Sequence, residues 1–474
     1  MTLSRRRFLT RTAAVSAAFS GLPALSACAA RTEDGYKNQV EGYGALMRDP
    51  RGLFDLPEGF SYATLSETGD VMDDGLLVPG DHDGMAAFAG PDGLVTLVRN
   101  HELRPHETEL SGFGPNAERL ARIDASRLYD RTDDGAPQLG GTTTLHVDAE
   151  SGRVVRQFMS LAGTENNCAG GPTPWGSWVS CEETLTRAGE GAELDHGYAF
   201  EVPADHQGLV EPTPLRGLGR FKHEACAVDP GTGVVYQTED DRPSLFTRFL
   251  PDHPGELWRS GRLQALAVQG RPGVNTYNWG EAERIDVGQS LPAAWIDLEA
   301  VHNPENDLAV RAIAAGAAAF TRGEGMWFGE REVFFCCTDG GPERIGQIWR
   351  YRPSRFEGYA QEREAPGELT LLFESASASV LEKPDNITVA PWGDLIVVED
   401  GDGEQYIRGV TPGGEVYTIG RNASPDDTGE YSEITGPCFS PDGTTLFFNV
   451  QNGPGRTFAV RGPWARRSLS PASA

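Results

Sequence analysis

Residues 385–400 read DNITVAPWGDLIVVED: acidic start, apolar strand, tight Pro-Trp-Gly turn, second apolar strand, acidic end. Proline and glycine shape the reversal, and the β-branched runs on either side favour extended backbone. The same element recurs along the chain. One copy starts at Asp83, turns at Pro91-Asp92-Gly93 and ends at Asn100-His101-Glu102. Another starts at Asn167-Cys168, turns at Pro174-Trp175-Gly176 and ends at Cys181-Glu182-Glu183. A third runs from Glu224 through Asp229-Pro230-Gly231 to Glu239-Asp240-Asp241, and a fourth from Glu324 through Gly329-Glu330 to Asp339. The last runs from Gly436 through Pro441-Asp442-Gly443 to Asn449. Strand–turn–strand units repeated at roughly fifty to a hundred residues predict a β-propeller. The expected fold is all-β, a six-bladed β-propeller. Equivalent positions of distant repeats then meet at one mouth of a central channel, and most repeats begin with an acid.

The 474 residues suffice for one large propeller. Residues 52–464 carry the repeats as one domain, 28–51 read as a linker, and 465–474 as a C-terminal tail. Uneven spacing implies insertions. One follows Glu102, with a short helix expected over residues 117–129. A larger one separates Asp241 from Arg322, with a helix expected within 305–320. Such helical and loop excursions are expected to cap one mouth of the channel.

The formal net charge is -28. Such a surface repels nucleic acid and anionic membranes, so no nucleic-acid partner is expected, and it favours divalent cations. The first 27 residues hold Arg5, Arg6, Arg7 and Arg11 and no acid, so the remainder is more acidic still. Ser4-Arg5-Arg6-Arg7-Phe8-Leu9 has the form of a twin-arginine export signal, which makes the twin-arginine translocase an expected partner. The leader ends in Leu25-Ser26-Ala27-Cys28, a lipobox in which Cys28 becomes lipidated; plain cleavage after Ala27 or Ala29 is the alternative. The expected location is periplasmic or cell-surface, with a lipid anchor if Cys28 is modified. A monomer is expected.

Three repeats start with cation-x-carboxylate: Lys222-His223-Glu224, Arg322-Gly323-Glu324 and Lys383-Pro384-Asp385. Only three lysines exist in the chain, and two are here. In a strand, residues two apart project to one side, so each pair sends an acid and a cation to the same place. A single pair reads as a salt bridge. Three equivalent pairs point instead to acids holding metals while cations hold the oxygens of a phosphate-like anion. Arg322, Glu224 and Lys222 are therefore the catalytic candidates. The acidic strand ends, Glu182-Glu183, Glu239-Asp240-Asp241, Asp339 and Glu399-Asp400, suit calcium, although solvated turns explain any one of them. Cys181, Cys226, Cys336, Cys337 and Cys438 sit in apolar strands and read as core. Cys168 lies at a polar repeat start, where a soft thiolate implies a transition metal unless the residue is structural. Nucleophile elbow, Walker loop and dinucleotide fingerprint are all absent from the sequence. His101 and His106 lack zincin spacing, and Pro105 breaks the helix that motif needs. His223 reads as structural.

These segments together resemble the PhoX family of bacterial alkaline phosphatases. The resemblance rests on Asn167-Cys168-Ala169-Gly170-Gly171, Trp175-Gly176, Cys181-Glu182-Glu183 and Arg220-Phe221-Lys222-His223-Glu224. It continues in Thr321-Arg322-Gly323-Glu324-Gly325, Gly346-Gln347-Ile348-Trp349-Arg350-Tyr351 and Lys383-Pro384-Asp385-Asn386. It implies a propeller holding ferric iron (Fe3+) and calcium (Ca2+) around a bridging oxide, acting on small phosphate monoesters. It further implies Cys168 as the thiolate iron ligand, Glu183, Glu224, Glu324 and Asp385 as carboxylate ligands, and Arg322 as the phosphate contact. Glu239, Asp240, Asn386 and Glu399 are carried over as further ligands. The chain departs from the family in its shorter length and in Cys336-Cys337, where a single cysteine is expected. Two rival readings remain: a calcium-dependent phosphodiesterase or lactonase-type propeller hydrolase, and a non-catalytic, metal-stabilised binding propeller.

Overall fold

The turns set the architecture. In the computed structural model Pro91–Gly93 forms a single tight turn, with Asp92 at φ 53° and Gly93 at φ 80°, closing the hairpin of His82–Ala89 and Val95–His101. The structure describes residues 35–280, 284–426 and 428–465. The expected leader, Cys28 and tail residues 466–474 lie outside the described residues. The chain divides after Tyr36, and the body described below begins at Lys37.

Strands dominate; among the described residues there is one α-helix, Leu308–Ala314. The fold is all-β and propeller-like. Its innermost strands are His82–Ala89, Asn167–Pro172, His223–Val228, Gly323–Phe328, Pro384–Val389 and Ile434–Phe439. Each packs on the next, and the last packs on the first. The second strands, such as Leu395–Glu399, are buried at every residue. Sheets cover both of their faces, which is why their apolar residues run on rather than alternate. The ring is tied shut by sequence-distant strands: Ser61–Glu67 pairs with Arg456–Arg461 in the final sheet.

Hydrogen bonding does not divide the body into six sheets as the repeat count predicts. There are five, of three, four, four, six and nine strands. The largest arises because Ser290–Asp297 pairs with both Gly261–Val268 and Glu368–Glu374, fusing two neighbouring units. The segment between Asp241 and Arg322 is thus not mainly an insertion, since it supplies the strands Phe246–Pro251, Gly261–Val268 and Ser290–Asp297. The helix expected within 305–320 shortens to Leu308–Ala314, ending before Gly316 at φ 109°. The helix expected over 117–129 is replaced by two 3₁₀ turns, Leu120–Arg122 and Ala125–Arg127. Part of the expected linker is also folded. Tyr43 is buried, and Leu46–Met47 pairs with Phe54–Pro57, which itself extends a sheet by pairing with Val416–Asn422.

Every innermost strand is interrupted at the same place. The register shifts lie between His82 and Met85, Asn167 and Gly170, His223 and Cys226, Gly323 and Met326, Pro384 and Ile387, and Thr435 and Cys438. A bulge re-aims side chains and locally ends pairing. The first bulged residues are Asp83, Cys168, Glu224, Glu324, Asp385 and Gly436. The second must be small where strands touch: a Cβ on Gly84 would lie 2.5 Å from Ala169 Cα, and one on Gly325 2.5 Å from Asn386 Cα. Below the bulges a cavity of about 20 Å³ is lined from all six strands. Trp327 is among its lining residues and packs against three separate apolar clusters.

Candidate metal centre

The bulges gather acids at the axis. Carboxylate oxygens of Glu224, Glu324 and Asp385, from three different strands, lie within 4.8 Å of one another, all buried. Glu324 is hydrogen-bonded to Asp385, and Glu224 to the thiol of Cys168. Cys168 also directs Sγ at the His223 carbonyl, 3.2 Å away. Asp83 is fully enclosed, and its Oδ1 has no hydrogen-bond partner.

Side chains of the second strands hold these bulges in place from the neighbouring repeat. Thr238 donates to the Glu324 carbonyl at 2.6 Å, and Thr338 to that of Pro384 at 2.8 Å. Asn100 Nδ2 donates to the Cys168 carbonyl at 3.0 Å, and Asn449 Nδ2 to that of Asp83 at 2.7 Å. Asn386 Nδ2 donates to Asp385 Oδ1 at 3.1 Å while its Oδ1 accepts from Gly436 N at 2.7 Å. Asn386, the neighbour of Asp385 on the same strand, therefore ties Asp385 to the next inner strand.

The paired acids at strand ends split by the pleat. In each pair the first turns into its own sheet. Glu182 accepts from His196 at 2.7 Å and from the Gly197 and Tyr198 amides. Glu239 accepts from Leu245 N at 3.0 Å, and Glu399 from Arg408 at 2.9 Å and Glu382 N at 3.0 Å. The second faces the mouth. Glu183 accepts from Asn166 at 3.1 Å and is hydrogen-bonded to Asp240. Asp240 receives two bonds from Arg322, and the charge of Asp400 acts on both Arg322 and Glu324. The structure thus brings Cys168, Glu183, Glu224, Asp240, Glu324, Asp385 and Arg322 together, and directs Glu239 and Glu399 elsewhere.

The cations differ among themselves. Arg322 reaches both Asp240 and Glu324, at 2.6 Å each. Lys222 instead meets Asp241 at 3.5 Å and Lys383 meets Asp402 at 3.3 Å, away from their own repeat-start acids. Arg322 and Lys383 share a positive φ, 43° and 48°, immediately ahead of a bulge, yet only Arg322 meets its own acid, so the local backbone alone does not set the partner. Asp83, Asp400 and Glu433 complete the acidic surroundings without having been singled out as ligands. Asp83 was legible as a repeat start; Glu433 carried no local signal.

The electrostatics require compensation. Burial first, then the neighbouring Glu324 and Glu183, push Glu224 well above the carboxylate range. Burial with Glu324, Glu433 and Glu224 does the same to Asp385, and burial with Glu102 and Glu224 to Asp83. Glu324 is raised to about 8 by burial and Asp240, despite Arg322. Asp240 alone is held low: burial opposes its charge, but Arg322 outweighs it. Burial also raises the Cys168 thiol. So many acids cannot all ionise around one guanidinium unless cations join them. The oxygen-rich donor set, the unpartnered Oδ1 of Asp83 and the single sulfur fit hard cations together with one thiophilic metal.

A family model described as Alkaline phosphatase PhoX matches residues 41–455. The chain belongs to the PhoX family. The structure of Pseudomonas fluorescens PhoX in complex with vanadate, a transition state analogue, resembles it with TM-score 0.64 at 18% identity, covering 87% of this chain and 96% of that one. A gluconolactonase from Xanthomonas campestris reaches TM-score 0.40 at 13% identity, covering 90% and 99%. No curated protein matches the chain. PhoX membership makes it a phosphatase, and the cluster of Glu224, Glu324 and Asp385 is drawn from three of the six inner strands.

Proposed function

We propose that the chain is an exported phosphatase hydrolysing phosphate monoesters at an iron–calcium centre in the channel of a six-bladed propeller. The observation that carries this is the convergence of Glu224, Glu324 and Asp385 beside Cys168 in a member of the PhoX family. The six equivalent bulges and the closed ring of inner strands support counting six blades, two of them fused by Ser290–Asp297. The twin-arginine and lipobox motifs support export, with Cys28 as anchor.

Uncatalysed monoester hydrolysis demands accelerations of up to about 10²¹-fold. When bound, metal cations neutralise phosphoryl oxygens and activate a nucleophile, which side chains alone do poorly. Asp83, Glu224, Glu324 and Asp385 would hold them, with Cys168 offering sulfur to iron and Glu183 at the edge. Arg322 presents its guanidinium to the phosphoryl group, and Asp240 fixes that guanidinium's plane. Lys222 stays at the rim, paired with Asp241.

Elemental analysis of the purified chain alongside hydrolysis of 4-nitrophenyl phosphate tests the reading. Iron plus calcium with activity that Glu224→Gln abolishes is expected. Wild-type protein replete in metal yet inert toward the ester would overturn it.

A further inference from the structure

At the mouth, carboxylates already hold nearly every cation. Lys222 is paired with Asp241, Lys383 with Asp402, Arg242 with Asp339, and Arg322 with Asp240 and Glu324. Arg344 is different. It stands on the loop of residues 338–346, whose ends are pinned to the strands bearing the other cations. Thr338 N donates to the Arg322 carbonyl at 3.0 Å, and Lys383 N to the Ile345 carbonyl at 2.7 Å. The loop thus bridges Arg322 and Lys383 along the rim. Arg344 is exposed, and among the described residues it makes no ion pair.

Its position is nonetheless defined. The guanidinium lies over Trp279, with Cζ 4.2 Å from the ring centroid. Trp279 Nε1 donates to the Asp339 carbonyl at 2.7 Å, and its ring packs on Tyr277 at 4.9 Å. The Tyr277 carbonyl in turn accepts from Gly341 N at 2.8 Å, on the same loop as Arg344. An aromatic face holds the plane of an arginine without consuming its N–H edge. That edge matches phosphate or carboxylate oxygens in two parallel bonds. In a chain of net charge -28, a positioned arginine with no counter-ion among the described residues is open to an anion arriving from solution.

We propose that Arg344, stacked on Trp279, is a leaving-group subsite that binds a second anionic group, phosphate or carboxylate, on the ester whose phosphate is cleaved near Arg322. The subsite rests on the phosphatase reading above and specifies its substrate class: small phosphate esters with an additional negative end. Trp279 is a positioning residue and Arg344 the contact.

Steady-state phosphate release by the metal-loaded full chain from glucose 6-phosphate, glucose 1,6-bisphosphate and 6-phosphogluconate tests this. Wild type should favour either or both of the doubly anionic esters by about tenfold in kcat/KM, and the one preferred tells phosphate from carboxylate. Arg344→Gln should erase that preference, mainly through KM, while glucose 6-phosphate changes less than about twofold. Trp279→Leu should erode it partially. Equal losses on all three esters, or a wild type without preference, overturn the subsite and leave the phosphatase intact. A metal-replete wild type inert toward all three sinks the phosphatase reading and the subsite with it.

Discussion

Arg322 holds Asp240 through two parallel hydrogen bonds, Nε to Oδ1 at 2.6 Å and Nη2 to Oδ2 at 3.0 Å, across the seam between consecutive repeats. The same Nη2 reaches Glu324 Oε1 at 2.6 Å. A guanidinium fixed on one edge by a carboxylate is pre-oriented for whatever meets its remaining donors. If it meets phosphate, Arg322→Ala lowers kcat by roughly 10²–10³-fold. Asp240→Asn, which keeps the shape but weakens the hold, costs a smaller factor of about 10–100. Kinetics on one aryl phosphate separate the two. Asp240→Asn falling as far as Arg322→Ala would mean that Asp240 does more than orient.

Metal removal tests the acid cluster directly. Glu224, Asp385 and Asp83 repel one another in a buried space, so stripping cations with a chelator should lower Tm, and restoring calcium should raise it again. Cys168→Ser removes the sulfur and keeps the size. Iron content should fall severalfold while calcium and the circular dichroism spectrum are retained. Undiminished iron in that variant would reassign Cys168 to the core.

His196 supplies a pH dependence independent of any metal. Both its nitrogens face carboxylates, Nδ1 to Glu182 at 2.7 Å and Nε2 to Asp130 at 3.0 Å, and it is fully buried. Burial lowers its pKa, but Glu182 and Asp130 outweigh this and raise it to about 10. The folded state therefore binds the proton more tightly than the unfolded chain, whose histidine titrates near 6.5. The stabilisation is complete below about pH 6.5 and is lost as pH climbs through about 10. His196→Gln should cost roughly 3–5 kcal/mol at pH 6, the usual penalty for breaking a buried pair. The gap in Tm between wild type and variant should close toward pH 10. A gap constant with pH would mean that shape, not charge, is at stake.

Much of this was legible in the chain. The turn residues and apolar runs of 385–400 and its copies mark the hairpins, because turn chemistry and strand propensity are local properties. Their starts mark Cys168, Glu224, Glu324 and Asp385, which the bulges then aim at the axis. The paired acids were not legible. Glu239 and Asp240, or Glu399 and Asp400, are adjacent and alike in sequence, yet the pleat turns one toward Leu245 N or Arg408 and the other toward the mouth. Nor could the fused sheet be read, since Ser290–Asp297 owes its two partners to packing between repeats.

The sequence by itself determined the all-β class, the repeat, the acidic surplus and the family, since composition, turn signals and motif residues are written in neighbouring positions. Only the tertiary structure decided which acids share one space, that Arg322 alone among the three repeat-start cations turns to its own carboxylate, and that Arg344 stacks on Trp279 with no ion pair among the described residues. Those outcomes depend on bulges and contacts between distant repeats, where the direction of a side chain is set by what packs beside it.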